Sequence, residues 1–262
     1  FSGISMAFGK MYFSLIQRQK APILMHSRTR SFYLTFLLVI TSFLLSSESN
    51  AQRGNHELGG WYMYFFETDF GQSNFGIMGD VQHRSFNVAR DFQQFILRAG
   101  LSYKFKNSSF RAVAGYSFFN SGTFGPSNAQ LIENRLYQDL IWTNALFEGR
   151  IALLHRIRIE ERFIENQDFR SRYRYFLNAK LPLNSKAMGP KTFFAWTAAE
   201  IFVNGEKNIG NGQSVNLYDR TWLFGGLGYQ FSKSLRSELS YMREITENQT
   251  KGQLILSFFH TF

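Results

Sequence analysis

The sequence predicts an all-β fold, an antiparallel transmembrane β-barrel of about 10–12 strands with a polar, Arg-rich lumen. Three observations predict it. Apolar and polar residues alternate with a period of two over most of the chain, 18% of the 262 residues are aromatic, and the last alternating segment ends in Phe262. Because successive side chains of a strand lie on opposite faces, each segment can be sorted into an apolar and a polar face.

The N-terminal region is predicted to be a targeting segment. Residues 25–51 have the parts of a secretory signal peptide: basic residues, an apolar stretch over 32–45, and small residues before a cleavage site. The apolar stretch is shorter than the roughly 20 residues that a membrane-spanning helix needs. Residues 1–24 are interpreted as a gene-start extension, and residues 52–262 are predicted to form one barrel domain.

Alternation then continues to the end of the chain. In 169–181, for example, Tyr173 and Tyr175 share one face while Arg172 and Arg174 share the other. In chain order the predicted strands are 57–66, 75–88, 92–105, 110–119, 132–147, 150–164, 169–181, 191–204, 218–231, 235–244 and 253–262.

The connections between these segments are of two kinds. Short polar turns are predicted at 106–109, 148–149 and 232–234, and longer Gly-, Asn- and Ser-rich connections at 120–131 and 204–217. The segment count is odd, whereas bacterial single-chain barrels have even counts. Either the first segment lies inside the barrel or two strands have been merged, so the choice between 10 and 12 strands stays open.

Two architectures fit repeated amphipathic strands. A soluble β-sandwich or lipocalin-like barrel turns its apolar face inward, and an outer-membrane barrel turns it outward. Strands of about 10–15 residues are long enough to cross a bilayer at a tilt, which favours the second. Runs of charge on the opposite face also favour it, as do aromatic residues near predicted strand ends, where they form interfacial girdles. These aromatic residues are Trp61, Tyr62, Tyr64, Phe65, Phe66, Trp142, Phe193, Phe194, Trp196, Tyr229 and Phe231.

The terminal strand carries a separate signal. Phe258 and Phe262 lie on its apolar face and resemble the C-terminal signal by which outer-membrane barrels are recognised for assembly, although His260 replaces the expected aromatic residue. A soluble strand that ends in Phe is the alternative.

The polar faces predict a lumen charge cluster that is rich in Arg. One interpretation is a pore that attracts small anions, and the other is a structural network of ion pairs that plugs a narrow barrel. The predicted members are Glu133, Arg135, Arg156, Arg158, Glu160, Arg162, Arg170, Arg172, Arg174, Glu200, Arg220, Arg236 and Glu238.

No enzyme, cofactor or metal site is predicted. His83, His155 and His260 share faces with apolar residues, and Asp80 is three positions from His83, hence on the opposite face. The absence of Cys excludes a Cys nucleophile, a disulfide scaffold and a Cys-ligated zinc site. A lipid-modifying hydrolase is the alternative function. Nucleic acid is not an expected partner despite the net charge of +10, because the aromatic residues alternate on one face.

Nine short motifs occur in order and together resemble the bacterial family catalogued as domain of unknown function 2490. They are 57–61 (ELGGW), 133–138 (ENRLYQ), 155–163 (HRIRIEERF), 172–175 (RYRY), 182–184 (PLN), 200–202 (EIF), 219–220 (DR), 226–229 (GLGY) and 238–242 (ELSYM). The resemblance implies an outer-membrane barrel over 57–262 and supplies no catalytic residue. The predicted protein is therefore a structural or porin-like envelope protein in the outer membrane of a Gram-negative-type cell. Its predicted partners are outer-membrane lipid, the barrel-assembly machinery and small anions.

Overall fold

The computed structural model describes residues 58–262, in which the regular structure is entirely β. The predicted signal peptide and the gene-start extension lie outside these residues, so the domain boundaries stay predictions. Within the described part, no helix is long and apolar enough to cross a bilayer.

Thirteen strands are present in the described residues, and their positions agree closely with the alternating segments. They are β1 (Gly59–Asp69), β2 (Phe75–Asn87), β3 (Arg90–Lys104), β4 (Phe110–Gly122), β5 (Gln130–Leu146), β6 (Ile151–Ile164), β7 (Arg170–Pro182), β8 (Thr192–Asn204), β9 (Asn208–Gly210), β10 (Gln213–Ser214), β11 (Tyr218–Gln230), β12 (Leu235–Ile245) and β13 (Thr250–Thr261). The two-stranded hairpin β9–β10 was not predicted and lies in the long connection before β11.

Eleven of these strands close into one barrel within residues 58–262. Each wall strand pairs antiparallel with the next along the chain, and β8 pairs with β11. The first and last strands pair in parallel, from Gly59 beside Gln253 to Glu67 beside Thr261. The predicted range of about 10–12 strands is confirmed. Within that range neither even count is right, because the first segment is a full wall strand and no two wall strands were merged. The parallel closure has a simple cause: directions alternate around the wall, so the first and last of an odd number of strands run the same way.

The barrel has two rims with different connections. One, here the turn rim, carries the connections 70–74, 105–109, 147–150, 183–191 and 231–234 and the end of β13. The other, here the loop rim, carries the start of β1. Its connections are 88–89, 123–129, 165–169, 205–217 and 246–249.

The barrel is apolar outside and charged inside. Leu239 and Leu101 on the outer face are 61% and 52% exposed, whereas Arg158 and Arg174 on the inner face are 5% and 6% exposed. This is the face assignment predicted for an outer-membrane barrel, and it is the reverse of the arrangement expected of a soluble barrel, which buries its apolar face.

Four aromatic residues predicted for the outer girdles lie inside instead. Trp61, Phe194 and Trp196 are all at most 6% exposed, and Phe65, on the same face of β1 as Trp61, lines the large interior cavity. Phe193 and Phe194 are consecutive, so only one of them can face outward, and Phe193 does. The rings of Trp61, Phe194 and Trp196 pack into two apolar clusters in the lumen, one around Trp61 and the other around Trp196. The interior is therefore less polar than the sequence predicts.

An aromatic belt does surround the outside near the turn rim. Trp142 stacks on His155 with ring centroids 4.7 Å apart, and the rings of Phe193 and Tyr229 lie 4.4 Å apart. Interfacial aromatic girdles of this kind are typical of membrane barrels.

Candidate functional site

The interior of the barrel holds two cavities. The large cavity, about 800 Å³, extends from the middle of the lumen to residues at the turn rim such as Ser109 and Thr261. The small cavity, about 420 Å³, lies under the loop rim, where Asn216 and Asn248 line it. Arg162 and Arg220 line both cavities, so the two spaces meet at these side chains.

An ion-pair layer occupies the region between the cavities, and Glu160 is at its centre. This carboxylate is 1% exposed and accepts hydrogen bonds from Arg172 Nε at 2.8 Å and Arg174 Nη1 at 2.7 Å. Arg135 Nη1 lies 3.4 Å from the same group. A buried carboxylate is stable as an anion only when it is paired in this way.

The layer continues on both sides of Glu160. Arg135 also pairs with Glu133 at 2.7 Å, and Glu133 with Arg162 at 2.6 Å. Arg172 also pairs with Asp219 at 3.0 Å. The remaining contacts of the layer are Arg174–Glu200, Arg156–Glu200, Asp219–Arg220 and Arg220–Glu244. Side chains from β5, β6, β7, β8, β11 and β12 thus form one connected network across the lumen.

An aromatic bridge links this layer to strands on the other side of the lumen. The Arg174 guanidinium lies 4.4 Å from the ring of Phe202, and that ring lies 4.5 Å from Trp222. Trp222 contacts Trp61 at 5.2 Å, and the Arg84 guanidinium stacks on Trp61 at 3.7 Å. Rings and cations attract one another in this geometry. The bridge joins β7, β8, β11, β1 and β2 through the interior.

Four residues of the predicted lumen cluster lie inside the barrel but outside this layer. Arg158 forms a separate bidentate pair with Asp139, with both contacts at 2.6 Å. Arg236 and Glu238 pair at 3.0 Å on the side of the large cavity. Arg170 lines the small cavity and is 8% exposed, with no carboxylate within 4.0 Å among the described residues. The other predicted members belong to the layer.

Several interior charged residues were not predicted as part of the cluster. Asp80 and Arg98 form a bidentate pair at 2.8 and 3.0 Å, and Lys180 pairs with Glu238. Arg84 lines the large cavity. All lie at inward-facing positions of β2, β3 and β7, so extending the predicted cluster over the whole polar faces of these strands would have included them.

The histidines do not assemble a catalytic group. His155 contacts Tyr175 Oη and Asn144 Oδ1, each at 2.8 Å, and His260 contacts Tyr64 Oη at 2.9 Å, all on the outer face. His83 Nε2 lies 3.3 Å from Ser85 Oγ. Asp80, three positions away, points inward and pairs with Arg98.

The described part of the chain offers no cluster of three or more His, Asp or Glu that could hold a metal ion. The interior carboxylates instead face guanidinium and ammonium groups, which satisfy them as ion pairs. The candidate site is therefore the lumen itself, with its layer and its two cavities.

The terminal strand completes the wall beside β1. Phe258 and Phe262 are 41% and 70% exposed on the outer face, and the Phe262 backbone N–H donates to the Glu67 carbonyl at 3.0 Å. Their role as an assembly signal stays a prediction.

Comparison with known proteins bears on the resemblance that the nine motifs suggested. No curated protein matches the chain. One family of proteins of unknown function, DUF2490, matches residues 58–254, which is almost the whole barrel from β1 into β13. The resemblance is thereby confirmed, and the chain belongs to the DUF2490 family.

Proposed function

We propose that this protein is an integral outer-membrane β-barrel with a transport-related role for anions, in which the ion-pair layer is the barrier to passage. Lipid covers the outer face in this proposal, and the barrel-assembly machinery inserts the chain by its terminal strand. The outward leucines, the aromatic belt and the predicted signal peptide support the location. The family adds none of these functional details.

The ion-pair layer is the observation on which the proposal depends. It contains six guanidinium groups and five carboxylates, and it lies between two cavities that reach opposite rims. Rings of Arg favour anions over cations in a pore. In this proposal the layer also restricts flow, because ion pairs hold its side chains in place and most of them have two or more such pairs. On this proposal the barrel would differ from an open porin, whose lumen is a continuous aqueous channel.

Planar-bilayer conductance of the refolded barrel tests this proposal. We expect small or rare current steps for the wild-type protein, and larger anion-selective steps for the double variant Arg162→Ser/Arg220→Ser, because these two side chains line both cavities. The matched control is Arg236→Ser, which removes an Arg that lines the large cavity alone. Large, unselective steps from the wild-type protein, or equal currents from the control and the double variant, would contradict the barrier.

A lipid-modifying hydrolase is the second candidate, and one contact favours it. Ser85 Oγ and His83 Nε2 form a hydroxyl–imidazole pair on β2. Ser85 is only 2% exposed, and no carboxylate contacts His83 in the described residues, whereas such catalysis needs an accessible nucleophile and an oriented base. Release of fatty acid from phospholipid micelles that is lost in Ser85→Ala would establish this activity in place of the non-enzymatic proposal.

A further inference from the structure

Among the described residues, the large cavity contains one cation that has no carboxylate in direct contact with it. Among the described Arg and Lys side chains that line it, every one except Arg84 has a carboxylate oxygen within 4.0 Å. An interior charge normally has a partner, since an isolated one is costly to bury. Arg84 therefore stands apart from the ion-pair layer.

Neutral groups hold Arg84 in place. Its Nε and Nη2 donate to Gln82 Oε1 at 3.2 and 2.7 Å, and its Nη1 donates to Gln94 Oε1 at 3.0 Å. The two amides are themselves oriented, because Gln82 Nε2 donates to Asp80 and Gln94 Nε2 donates to Ser121. A guanidinium has five N–H groups, so two remain without an acceptor among the described residues.

Stacking fixes the plane of the guanidinium. Arg84 Cζ lies 3.7 Å from the ring centroid of Trp61 and 5.7 Å from that of Trp222. The group is thus prepared for a ligand before one arrives, which lowers the entropy lost on binding. A planar fork that keeps its charge is suited to a carboxylate or another oxyanion.

An apolar wall lies beside this cation. Met63, Trp222 and Phe224 pack in the cluster around Trp61, and Phe224 also joins the cluster around Trp196. All of these side chains line the large cavity. Ligand cavities commonly have volumes of about 300–1,000 Å³ and combine apolar walls with a few polar groups, and the large cavity fits both criteria.

We infer that the large cavity is a binding site for an amphipathic organic anion. Its carboxylate pairs with Arg84, and its apolar body lies against Met63, Trp222 and Phe224. The ligand enters from the turn rim, where Ser109 and Thr261 line the cavity. This inference goes beyond the proposed barrier, because binding in the cavity does not require that the lumen conduct.

Octanoate is a suitable probe, with octan-1-ol and inorganic phosphate as comparisons that lack the charge and the apolar chain respectively. Titration of the refolded barrel in lipid nanodiscs is followed by tryptophan fluorescence, since two of the four Trp contact Arg84. Empty nanodiscs correct for partitioning into lipid. We expect octanoate to bind at least tenfold more tightly than either comparison compound.

Variants of Arg84 then test whether the carboxylate of octanoate binds at this residue. Arg84→Gln should weaken octanoate binding at least tenfold. Arg90→Gln, which removes an exposed Arg at the loop rim that lines neither cavity, should leave it unchanged. Arg84→Lys keeps the charge without the planar fork, and we expect intermediate binding from it; this variant also serves if Arg84→Gln does not fold. Equal binding of octanoate and octan-1-ol, equal binding of octanoate and phosphate, or wild-type affinity in Arg84→Gln or Arg84→Lys would each overturn the assignment.

Discussion

Glu160→Gln is the most direct test of the ion-pair layer as a source of stability. The substitution keeps the size of the side chain and removes its charge, so three guanidinium groups lose a shared partner. Arg172 and Arg174 approach the carboxylate to 2.6 and 2.7 Å, and Arg135 to 3.4 Å. The layer then holds one more unneutralised positive charge in a site that is almost fully buried.

The size of the stability loss depends on the carboxylate partners that the three arginines keep. Removing one partner of a buried ion pair typically costs about 3–5 kcal/mol. Each of the three retains a second carboxylate, namely Glu133, Asp219 or Glu200, so we expect the lower end of the range. A loss of about 3 kcal/mol corresponds to roughly a hundredfold change in the folding equilibrium.

Urea-dependent folding into phospholipid vesicles measures this loss, with heat-modifiable gel migration and tryptophan fluorescence as readouts. Glu161→Gln is the matched control, because it makes the same change at the neighbouring position of the same strand, where the side chain points to the opposite face. We expect this control to lower the free energy of unfolding by about 0.5 kcal/mol or less. Combining Glu160→Gln with Arg172→Gln should recover part of the loss, because the charge balance of the layer is restored. Equal stability of the Glu160 and Glu161 variants would refute the assignment of the layer as a stabilising network.

Two further predictions concern the wall of the barrel. The chain has no native Cys, so a spin label can be attached at a single introduced Cys. A label at position 239 should be accessible to lipid-soluble oxygen, and a label at position 240 should not. The reverse result would contradict the assignment of Leu239 to the outer face and Ser240 to the inner face. Gly228→Ala places a Cβ against the buried ring of Phe194 and should cost about 1–3 kcal/mol in urea titrations through overpacking. Gly189→Ala, where the added Cβ meets open space, is the control. If the Gly228 variant were as stable as this control, the Phe194 ring would be able to move aside without cost, and the prediction would be wrong.

Most of the wall could be predicted from the sequence, because alternation is a local property. Strands β6 and β7 coincide with 150–164 and 169–181 to within one residue at each end, since apolar and polar residues alternate over most of both segments. The outward position of Tyr173 and the inward position of Arg174 follow from the same rule.

The closure of the barrel could not be predicted in this way. Alternation fixes which face a residue occupies, but it does not identify the partner of an edge strand. The parallel pairing of β1 with β13 depends on residues almost 200 positions apart, such as Gly59 and Gln253. The predicted range of about 10–12 strands is correct, but the expectation of an even number left out the count of eleven that the barrel has.

The sequence predicted which charged residues lie in the lumen, but not which of them pair with one another. Arg172 and Glu160 were assigned to the lumen by alternation, yet the sharing of Glu160 among three arginines requires the curvature of the wall. Trp61 was assigned to the outside because aromatic residues near strand ends commonly form girdles. Inside the barrel it stacks on Arg84 instead, and this packing is a tertiary property that neither segment encodes alone.

The parallel seam also constrains how such a barrel can be related to others. Gain or loss of a whole hairpin changes the number of strands by two and preserves its parity. The odd count over residues 58–262 therefore cannot be related to an even-stranded barrel by whole hairpins alone. An odd number of strands must be gained or lost, which moves one terminus of the barrel to the opposite rim. The start of β1 and the end of β13 accordingly lie on different rims, so fluorescent tags at these two positions would report on opposite sides of any membrane that the barrel crosses.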